Sequence, residues 1–175
     1  MQYSLENICG DTLFADDLVL DLGTKYGSDL KGYTLDDCPA TVVGIDISNS
    51  QFPADMESDF VLGDGRQLPF DTDVFDYVYC SAVLEHVNNS SSLIAEAARV
   101  LKPSGTAHFG FPNRMSLLQP HSEVPRYYSV LPKPIGKIFS SYFLSEEEYY
   151  EHALFPLTPI SARYYLYKYF DSVNY

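Results

Sequence analysis

Basic residues are scarce in this chain of 175 residues. It carries 11 Lys and Arg against 24 Asp and Glu, which gives a formal net charge of -13. A charge of this sign and size repels the phosphate backbone of nucleic acids and the surface of anionic lipids. We therefore expect no nucleic-acid substrate. The same net charge also favours solubility, so the charge alone does not indicate a function.

Cysteines and long apolar runs are also few. The three cysteines, Cys9, Cys38 and Cys80, form neither a CxxC pair nor an even-numbered disulfide framework, and we predict no metal site. No apolar run approaches the roughly 20 residues that span a bilayer. Residues 1–17 contain acids where a secretory signal has a basic segment followed by an apolar one. These features predict a cytoplasmic protein without a membrane span.

Short apolar runs separated by turn residues predict a β-sheet with crossover helices. The first two runs are continuous, and the second is rich in β-branched residues, which indicates strands covered on both faces and hence a parallel sheet. A helix is predicted over residues 91–101, with serines 90–92 as caps and an apolar stripe at helical spacing. The strands are predicted at residues 18–23, 41–47, 60–64, 75–80 and 106–111.

The composition changes after Pro112. Prolines interrupt the regular pattern, and ten of the 15 tyrosines lie beyond residue 126. Helices are predicted over residues 144–154 and 161–170. We interpret the chain as one domain, residues 1–175, with a cofactor-binding core over residues 1–112 and a Pro- and Tyr-rich cap over residues 113–175.

Polar residues stand where the predicted strands end. Asp21, Asp46, Asp64 and Ser81 each close an apolar run, and ligands of open α/β sheets bind beyond the carboxyl ends of the strands. Asp46 follows Asp21 by 25 residues, where a carboxylate can accept hydrogen bonds from both hydroxyls of a ribose. A nicotinamide-dependent oxidoreductase uses a similar acid, but its G-x-G-x-x-G fingerprint is missing.

Five stretches in this order resemble the class I S-adenosylmethionine-dependent methyltransferases, of the small-molecule type related to the ubiquinone and menaquinone methyltransferases. The resemblance implies an α/β fold with a Rossmann-like, doubly wound, mostly parallel sheet and helices on both faces. It also implies S-adenosylmethionine as cofactor. The stretches are residues 19–23 (VLDLG), 42–48 (VVGIDIS), 63–70 (GDGRQLPF), 75–87 (beginning FD and ending LEHV) and 96–105 (EAARVLKPSG).

For the methionine part of the cofactor, the resemblance implies a turn formed by Gly23 and Gly27 and supported by Asp21. The backbone of Cys80 and Ser81 lies beside the same group in this family pattern. Residues 68–70, with Arg99 and Lys102, match positions that we interpret as structural.

For the nucleoside part, the resemblance implies that Asp46 holds the ribose hydroxyls and that Ile47 packs on the adenine. Asp64 accepts a hydrogen bond from the adenine amine, and Gly65 allows close approach. Lys25 departs from the family, which prefers glycine in the middle of this loop, and we expect Lys25 to lie near the methionine carboxylate.

Two further departures concern the flanking segments and the end of the chain. Residues 28–40 and 49–59 are shorter or less helical than is usual in the family. Residues 171–175 fall about where a late strand begins, so part of the final antiparallel strand pair is expected to be missing. These departures leave a second interpretation open, a catalytically degenerate binding or scaffold protein with the same fold.

Two histidines are candidate general bases. His86 opens the segment after the fourth strand, and His121 follows the fifth strand with Glu123 nearby. The alternatives are a histidine that hydrogen-bonds a helix start and a solvated loop histidine. Methyl transfer depends mainly on in-line positioning and the exclusion of water, so an essential base is not required.

The acceptor is the least defined part of the sequence prediction. We expect methyl transfer to an oxygen, or less readily a nitrogen, of a small-molecule, glycan or lipid-linked acceptor. The similarity of residues 111–121 and 131–134 to methyltransferases of cell-surface glycan synthesis favours a sugar or lipid-linked acceptor. The C-terminal tyrosines suit a ring-shaped acceptor. The alternative role is core packing or a homo-oligomer contact, which their helical spacing favours.

Overall fold

The computed structural model describes residues 13–24, 40–48, 59–111 and 157–174. These residues contain five β-strands, two α-helices and one 3-10 turn. The strands are β1 Leu18–Leu22, β2 Thr41–Asp46, β3 Asp59–Leu62, β4 Phe75–Ser81 and β5 Leu101–Gly110; the helices are α1 Ser90–Val100 and α2 Pro159–Tyr169; the 3-10 turn is Leu84–His86.

The five strands form one sheet in the order β3-β2-β1-β4-β5, and every neighbouring pair is parallel. The chain starts in the middle of the sheet, builds outward to β3 and then continues on the other side of β1. In the register, Leu18 lies opposite Thr41 and Asp21 lies opposite Tyr79. This strand order is that of a doubly wound α/β fold, so the predicted fold class is confirmed.

The sheet buries apolar side chains on both faces, because successive residues of a strand point to opposite sides. Leu20, Ile45 and Val78 belong to the larger cluster, which includes side chains of α1 and α2. Val19 and Tyr79 belong to a second cluster on the other face. Central strands covered on both sides explain the continuous apolar runs in the sequence.

Helix α1 begins one residue earlier than predicted, because its cap is Asn89 rather than one of the serines. The Asn89 side chain accepts a hydrogen bond from the backbone N–H of Ser92. The hydroxyl of Ser90 instead donates to the carbonyl oxygen of Leu84 at 3.1 Å. The helix ends at Val100 because Leu101 already has the extended backbone of β5.

Helix α2 lies close to its predicted range and joins the same core. Thr158 and Ser161 form a reciprocal capping box, and Pro159 occupies the first turn, where its missing N–H is not needed. Ala162 and Leu166 are buried in the larger cluster. This contact agrees with the single-domain interpretation, which stays a prediction.

Some predicted elements lie outside the described residues. They include the helix over residues 144–154, which falls in the undescribed range 112–156. Within the described part of the chain, no helix is both long enough and apolar enough to cross a membrane.

Candidate functional site

The polar residues predicted at the strand ends share one edge of the sheet. β1, β4 and β2 are parallel neighbours, so their carboxyl ends lie side by side. The strand order reverses at β1, which has β2 on one side and β4 on the other. Ligands of open α/β sheets bind at such a reversal. The candidate site therefore lies at the carboxyl ends of β1, β2 and β4.

Gly23 forms the turn after β1. Its φ of +85° lies in the left-handed region, which glycine adopts without steric cost. The Gly23 N–H donates to the carbonyl oxygen of Ile45 at 2.8 Å and so holds the turn against β2. A Cβ at this position would overlap Cγ2 of Val83, in the loop after β4. Gly23 thus closes a tight backbone cradle between three strand ends.

Two buried polar side chains flank this cradle. Asp21 is 2% exposed and Thr24 is 1% exposed. The Thr24 hydroxyl oxygen has no hydrogen-bond partner within the described ranges, which is rare for a buried hydroxyl. The sequence prediction missed Thr24. The signal that could have found it is a hydroxyl placed directly after the glycine of the turn.

Asp46 and Ile47 lie at the end of β2, as the sequence predicts. The Asp46 carboxylate accepts a hydrogen bond from the backbone N–H of Ser48 at 3.0 Å, which orients it in the loop. Ile47 is 72% exposed although it is large and apolar. An apolar side chain beside a half-buried carboxylate suits a flat ring joined to a sugar.

Asp64 follows β3 and is held by a neighbouring arginine. Nε and Nη2 of Arg66 donate to the two carboxylate oxygens at distances of 2.7–3.1 Å, and the backbone N–H of Arg66 donates to Oδ1 at 2.9 Å. These bonds from Arg66 keep the pKa of Asp64 below its usual value. Arg66 also donates to the Asn88 side chain. Much of the acceptor capacity of Asp64 is therefore used within the protein.

Gly65 faces the core. A Cβ there would lie 3.0 Å from Cδ2 of Leu22 and 3.2 Å from Cδ1 of Leu93. The missing side chain thus lets the loop pack on β1 and α1. The predicted role of Gly65 in close approach to the cofactor stays a prediction.

Cys80 is fully buried near the end of β4. Burial raises the pKa of its thiol, and the charges of Asp21 and Glu85 raise it further. The thiol is therefore protonated at neutral pH and is no nucleophile. In the next residue, Ser81, the hydroxyl oxygen lies 3.0 Å from the place where a Cβ of Gly110 would be.

The 3-10 turn after β4 places Glu85 inside and His86 outside. Glu85 is 4% exposed, whereas His86 is exposed, and the His86 backbone N–H donates to the carbonyl oxygen of Val83 at 2.9 Å. The sequence prediction considered His86 and passed over Glu85. A buried glutamate beside a ligand-binding edge is the stronger sign of function, because a carboxylate is expensive to bury.

One histidine that the sequence prediction did not consider lies on β5. His108 is opposite Tyr79 of β4, and the two rings stack with centroids 5.5 Å apart and an interplanar angle of 10°. Burial lowers the pKa of His108. The signal in the sequence is a titratable residue between two apolar ones, Ala107 and Phe109.

Three predicted site residues lie outside the described ranges, whereas several of the C-terminal tyrosines lie within them. Lys25, Gly27 and His121 lie outside the described ranges, so their roles stay predictions. Among the tyrosines of α2, Tyr165 and Tyr169 pack against the core, while Tyr164 is 66% exposed. The inward pair supports the packing interpretation for those two residues.

The described residues fit S-adenosylmethionine. The Gly23 cradle admits a ligand close to the backbone, Thr24 offers a buried hydroxyl, and Asp46 with Ile47 suits a ribose and an adenine. Among the described residues, no three His, Cys, Asp or Glu side chains are grouped so that they could hold a metal ion.

A family model described as a methyltransferase domain matches residues 20–109, slightly more than half of the chain. The chain belongs to this methyltransferase family. The resemblance to class I S-adenosylmethionine-dependent methyltransferases is therefore confirmed, and so is S-adenosylmethionine as the cofactor of the domain. The matched range includes the ends of β1, β2 and β4.

Similar proteins agree with this membership. A ubiquinone biosynthesis O-methyltransferase from Photobacterium profundum is 29% identical over 61% of the chain and 42% of its own length. A demethylmenaquinone methyltransferase from Renibacterium salmoninarum is 34% identical over 54% and 42%. The chain thus spans less than half of either relative. The structure of a SAM-dependent methyltransferase from Thermotoga maritima superposes with a TM-score of 0.60 at 17% identity, covering 93% of this chain and 67% of that one.

Proposed function

We propose that this methyltransferase domain transfers the methyl group of S-adenosylmethionine to an oxygen of a small, hydroxylated ring, such as a lipid-linked quinol. The observation that carries the proposal is the left-handed Gly23 turn closed against Val83, with the Asp46 carboxylate at the end of the adjacent strand. Family membership supports the chemistry. The names of the two quinone-pathway relatives support the acceptor class.

The cofactor is held along the carboxyl edge from β4 to β2. Asp21, Gly23 and the backbone of Cys80 and Ser81 would hold the methionine part. Gly27 and Lys25 are assigned to the same part by the family resemblance alone, with Lys25 as a partner for its carboxylate. Thr24 donates or accepts one hydrogen bond at the cradle. This half of the site binds the group that carries the methyl.

The nucleoside occupies the other half of the edge. Asp46 would accept hydrogen bonds from the ribose hydroxyls, Ile47 would cover one face of the adenine, and Asp64 with Gly65 would meet the adenine edge. Because Arg66 already donates to both oxygens of Asp64, we expect Asp46 to contribute more to affinity than Asp64 does.

When bound, the cofactor supplies an electrophilic methyl group on a sulfonium. The chain has to align the acceptor oxygen with that methyl group and exclude water. The buried Cys80 thiol offers no competing nucleophile, because its pKa is raised by burial. His86 or His121 would take the proton of a weakly acidic acceptor, whereas a phenolic acceptor needs little help from a base.

The alternative is a degenerate binding or scaffold protein with the same fold. The ion pair between Asp64 and Arg66 is the observation that favours it, since this pair occupies a carboxylate that the family pattern assigns to the adenine. A protein of this kind would transfer no methyl group, whether or not it binds S-adenosylhomocysteine.

Calorimetry with S-adenosylhomocysteine tests the proposal first. We expect saturable binding by the wild type and a loss of about 2–3 kcal/mol of binding free energy in Asp46→Ala, because two charge-assisted hydrogen bonds disappear. Asp71→Ala is the matched control, since Asp71 is an exposed acid in the loop before the amino end of β4. Equal affinity of the three proteins would remove Asp46 from the site.

Transfer of a tritiated methyl group to a panel of hydroquinones and catechols tests the reaction. We expect label in an ether that resists mild base, with amines of similar shape left unlabelled. Cofactor binding without transfer to any acceptor class would favour the scaffold alternative. Transfer to amines alone would overturn the choice of oxygen.

A further inference from the structure

We propose that Glu85 recognises the ammonium group of the cofactor's methionine part, as a second buried carboxylate beside Asp21. This inference rests on the proposed function and adds a residue that neither the family resemblance nor the strand-end pattern assigned. It makes the site selective for ligands that carry the amino group. Four observations carry it.

The first observation is the inward position of Glu85. The turn Leu84–His86 begins three residues after β4 ends, and it buries Glu85 to 4% exposure while His86 is exposed. Leu84 is fully buried and accepts a hydrogen bond from the Ser90 hydroxyl, which fixes the turn to the start of α1. The Glu85 side chain is therefore held on a rigid part of the fold.

The second observation is the contact between this turn and the cofactor cradle. Val83, which precedes the turn, fills the space where a Cβ of Gly23 would be. The chain from Val83 to Glu85 thus follows directly from the wall of the cradle. The methionine part is predicted to lie at this wall, next to Ser81.

The third observation is that Asp21 and Glu85 are both buried and that both influence the thiol of Cys80. The charges of both Asp21 and Glu85 act on the Cys80 thiol and add to the effect of burial on its pKa. Asp21 reaches this place from β1 and Glu85 from the turn after β4. Two negative charges in a buried region favour a cationic ligand.

The fourth observation is the Thr24 hydroxyl, which is 1% exposed and has no hydrogen-bond partner in the described part of the chain. It stands at the same strand end, three residues after Asp21. A buried hydroxyl of this kind indicates a polar ligand there, independently of the acids.

The ammonium is the part of the cofactor that suits a carboxylate best. An ammonium donates three hydrogen bonds, whereas a sulfonium has no N–H or O–H to donate. A hydrogen bond between an ammonium and a carboxylate is charge-assisted and short. We therefore assign Glu85 to the ammonium, which S-adenosylmethionine and S-adenosylhomocysteine share, and not to the sulfonium.

Binding of matched ligands tests the assignment without turnover. The probes are S-adenosylmethionine, S-adenosylhomocysteine and the deamino analogue of S-adenosylhomocysteine, in which hydrogen replaces the ammonium. For Glu85→Gln, which keeps the shape and removes the charge, we expect roughly tenfold weaker binding of the first two ligands. The affinity for the deamino analogue should change less than about twofold. Glu85→Asp should recover part of the loss.

The outcomes separate the two proposals. If the wild type binds neither S-adenosylmethionine nor S-adenosylhomocysteine, the proposed function fails and this inference fails with it. If the wild type binds both and Glu85→Gln weakens all three ligands equally, the function stands and Glu85 has only a structural role. A loss confined to S-adenosylmethionine would move the contact to the sulfonium and overturn the assignment.

A measurement on the wild type covers a variant that does not fold. In protein labelled with carbon-13 at the glutamate carboxyl, the signal of a buried glutamate should shift on addition of S-adenosylhomocysteine and stay in place on addition of the deamino analogue. Equal shifts with both ligands would contradict the proposal.

Discussion

Gly23 and Val83 interlock across the end of the sheet. The left-handed backbone of Gly23 leaves no room for a side chain, since Cγ2 of Val83 occupies the position of a Cβ. Gly23 follows β1 and Val83 follows β4, two strands that are neighbours in the sheet although more than fifty residues separate them in the chain. The shape of the candidate cofactor cradle therefore depends on a contact between two loops.

Replacing Gly23 by alanine should damage both stability and cofactor binding. A non-glycine residue at positive φ costs about 1 kcal/mol, and the overlap with Val83 adds to this figure. We expect at least 1 kcal/mol of lost stability in urea unfolding, with a large loss of affinity for S-adenosylhomocysteine. Gly23→Ala combined with Val83→Ala should recover the steric part only.

Gly65→Ala is a steric comparison for the stability part of that prediction. A Cβ at Gly65 meets the ends of the Leu22 and Leu93 side chains at 3.0 and 3.2 Å, and these can move by a few tenths of an ångström. The backbone at Gly65 is also not in the left-handed region. A larger loss of stability in Gly65→Ala than in Gly23→Ala would contradict this steric argument.

The carboxylate of Asp76, near the amino end of β4, joins this strand to its neighbours β1 and β5. It accepts bonds from Nζ of Lys102 at 2.7 and 2.8 Å and from the backbone N–H of Leu18 at 3.0 Å. We therefore expect Asp76→Ala to lower the free energy of unfolding by about 1.5–3 kcal/mol. Lys102→Ala should lower it by about 1 kcal/mol or less, because this lysine is half-exposed. Urea unfolding of both variants at neutral pH measures the difference.

The Asp76 carboxylate also predicts that the stability of the fold depends on pH in the acidic range. Lys102 and the Leu18 N–H hold the pKa of Asp76 below its usual value. The contribution of Asp76 to stability is therefore fully present above about pH 3.9, the pKa of an aspartate in an unfolded chain. The contribution is lost as pH falls through the folded pKa. The stability gap between wild type and Asp76→Asn should accordingly narrow below about pH 3.9. A gap that widens there would contradict the assignment.

Arg99 clamps the loop before β4 to helix α1. It donates to the Glu96 carboxylate at 2.7 Å from two nitrogens, and to the carbonyl oxygens of Phe70 and Leu68 at 2.9 and 3.1 Å. Lysine has a single nitrogen and cannot make this fork. We expect Arg99→Lys to lose about 1–3 kcal/mol of stability, nearly as much as Arg99→Ala, with unchanged affinity for S-adenosylhomocysteine. Full retention of stability in Arg99→Lys would show that charge alone suffices.

The sequence was enough to predict the sheet, because each central strand is a short run of apolar residues closed by a polar one. The same rule placed Asp21, Asp46 and Ser81 at one edge, since parallel strands bring their carboxyl ends together. Local patterns thus predicted the parts of the site that lie on strands.

Residues outside the strands were harder to predict. Nothing in residues 84–87 (LEHV) shows that a 3-10 turn buries Glu85 and exposes His86, because that choice depends on how the turn packs against α1. Likewise, the stack of His108 on Tyr79 depends on the register between β4 and β5. Tertiary packing, which a single sequence does not encode in its local periodicity, decided both.

His108 provides the last prediction, a loss of stability in mild acid. Burial lowers the pKa of His108 below the value of about 6.5 for an unfolded chain, so the unfolded state binds its proton first as pH falls. The free energy of unfolding should then decrease from about pH 6.5 down to the folded pKa, by less than the limit of about 1.4 kcal/mol per pH unit, because solvent screens a half-buried group. His108→Phe keeps a ring to stack on Tyr79 and cannot titrate. As the pH falls from 7.5 to 5.5, the stability of His108→Phe relative to wild type should rise in urea unfolding. The control His86→Gln, at the exposed histidine, should follow the wild type. Parallel curves for wild type and His108→Phe over this interval would show that His108 does not couple folding to protonation.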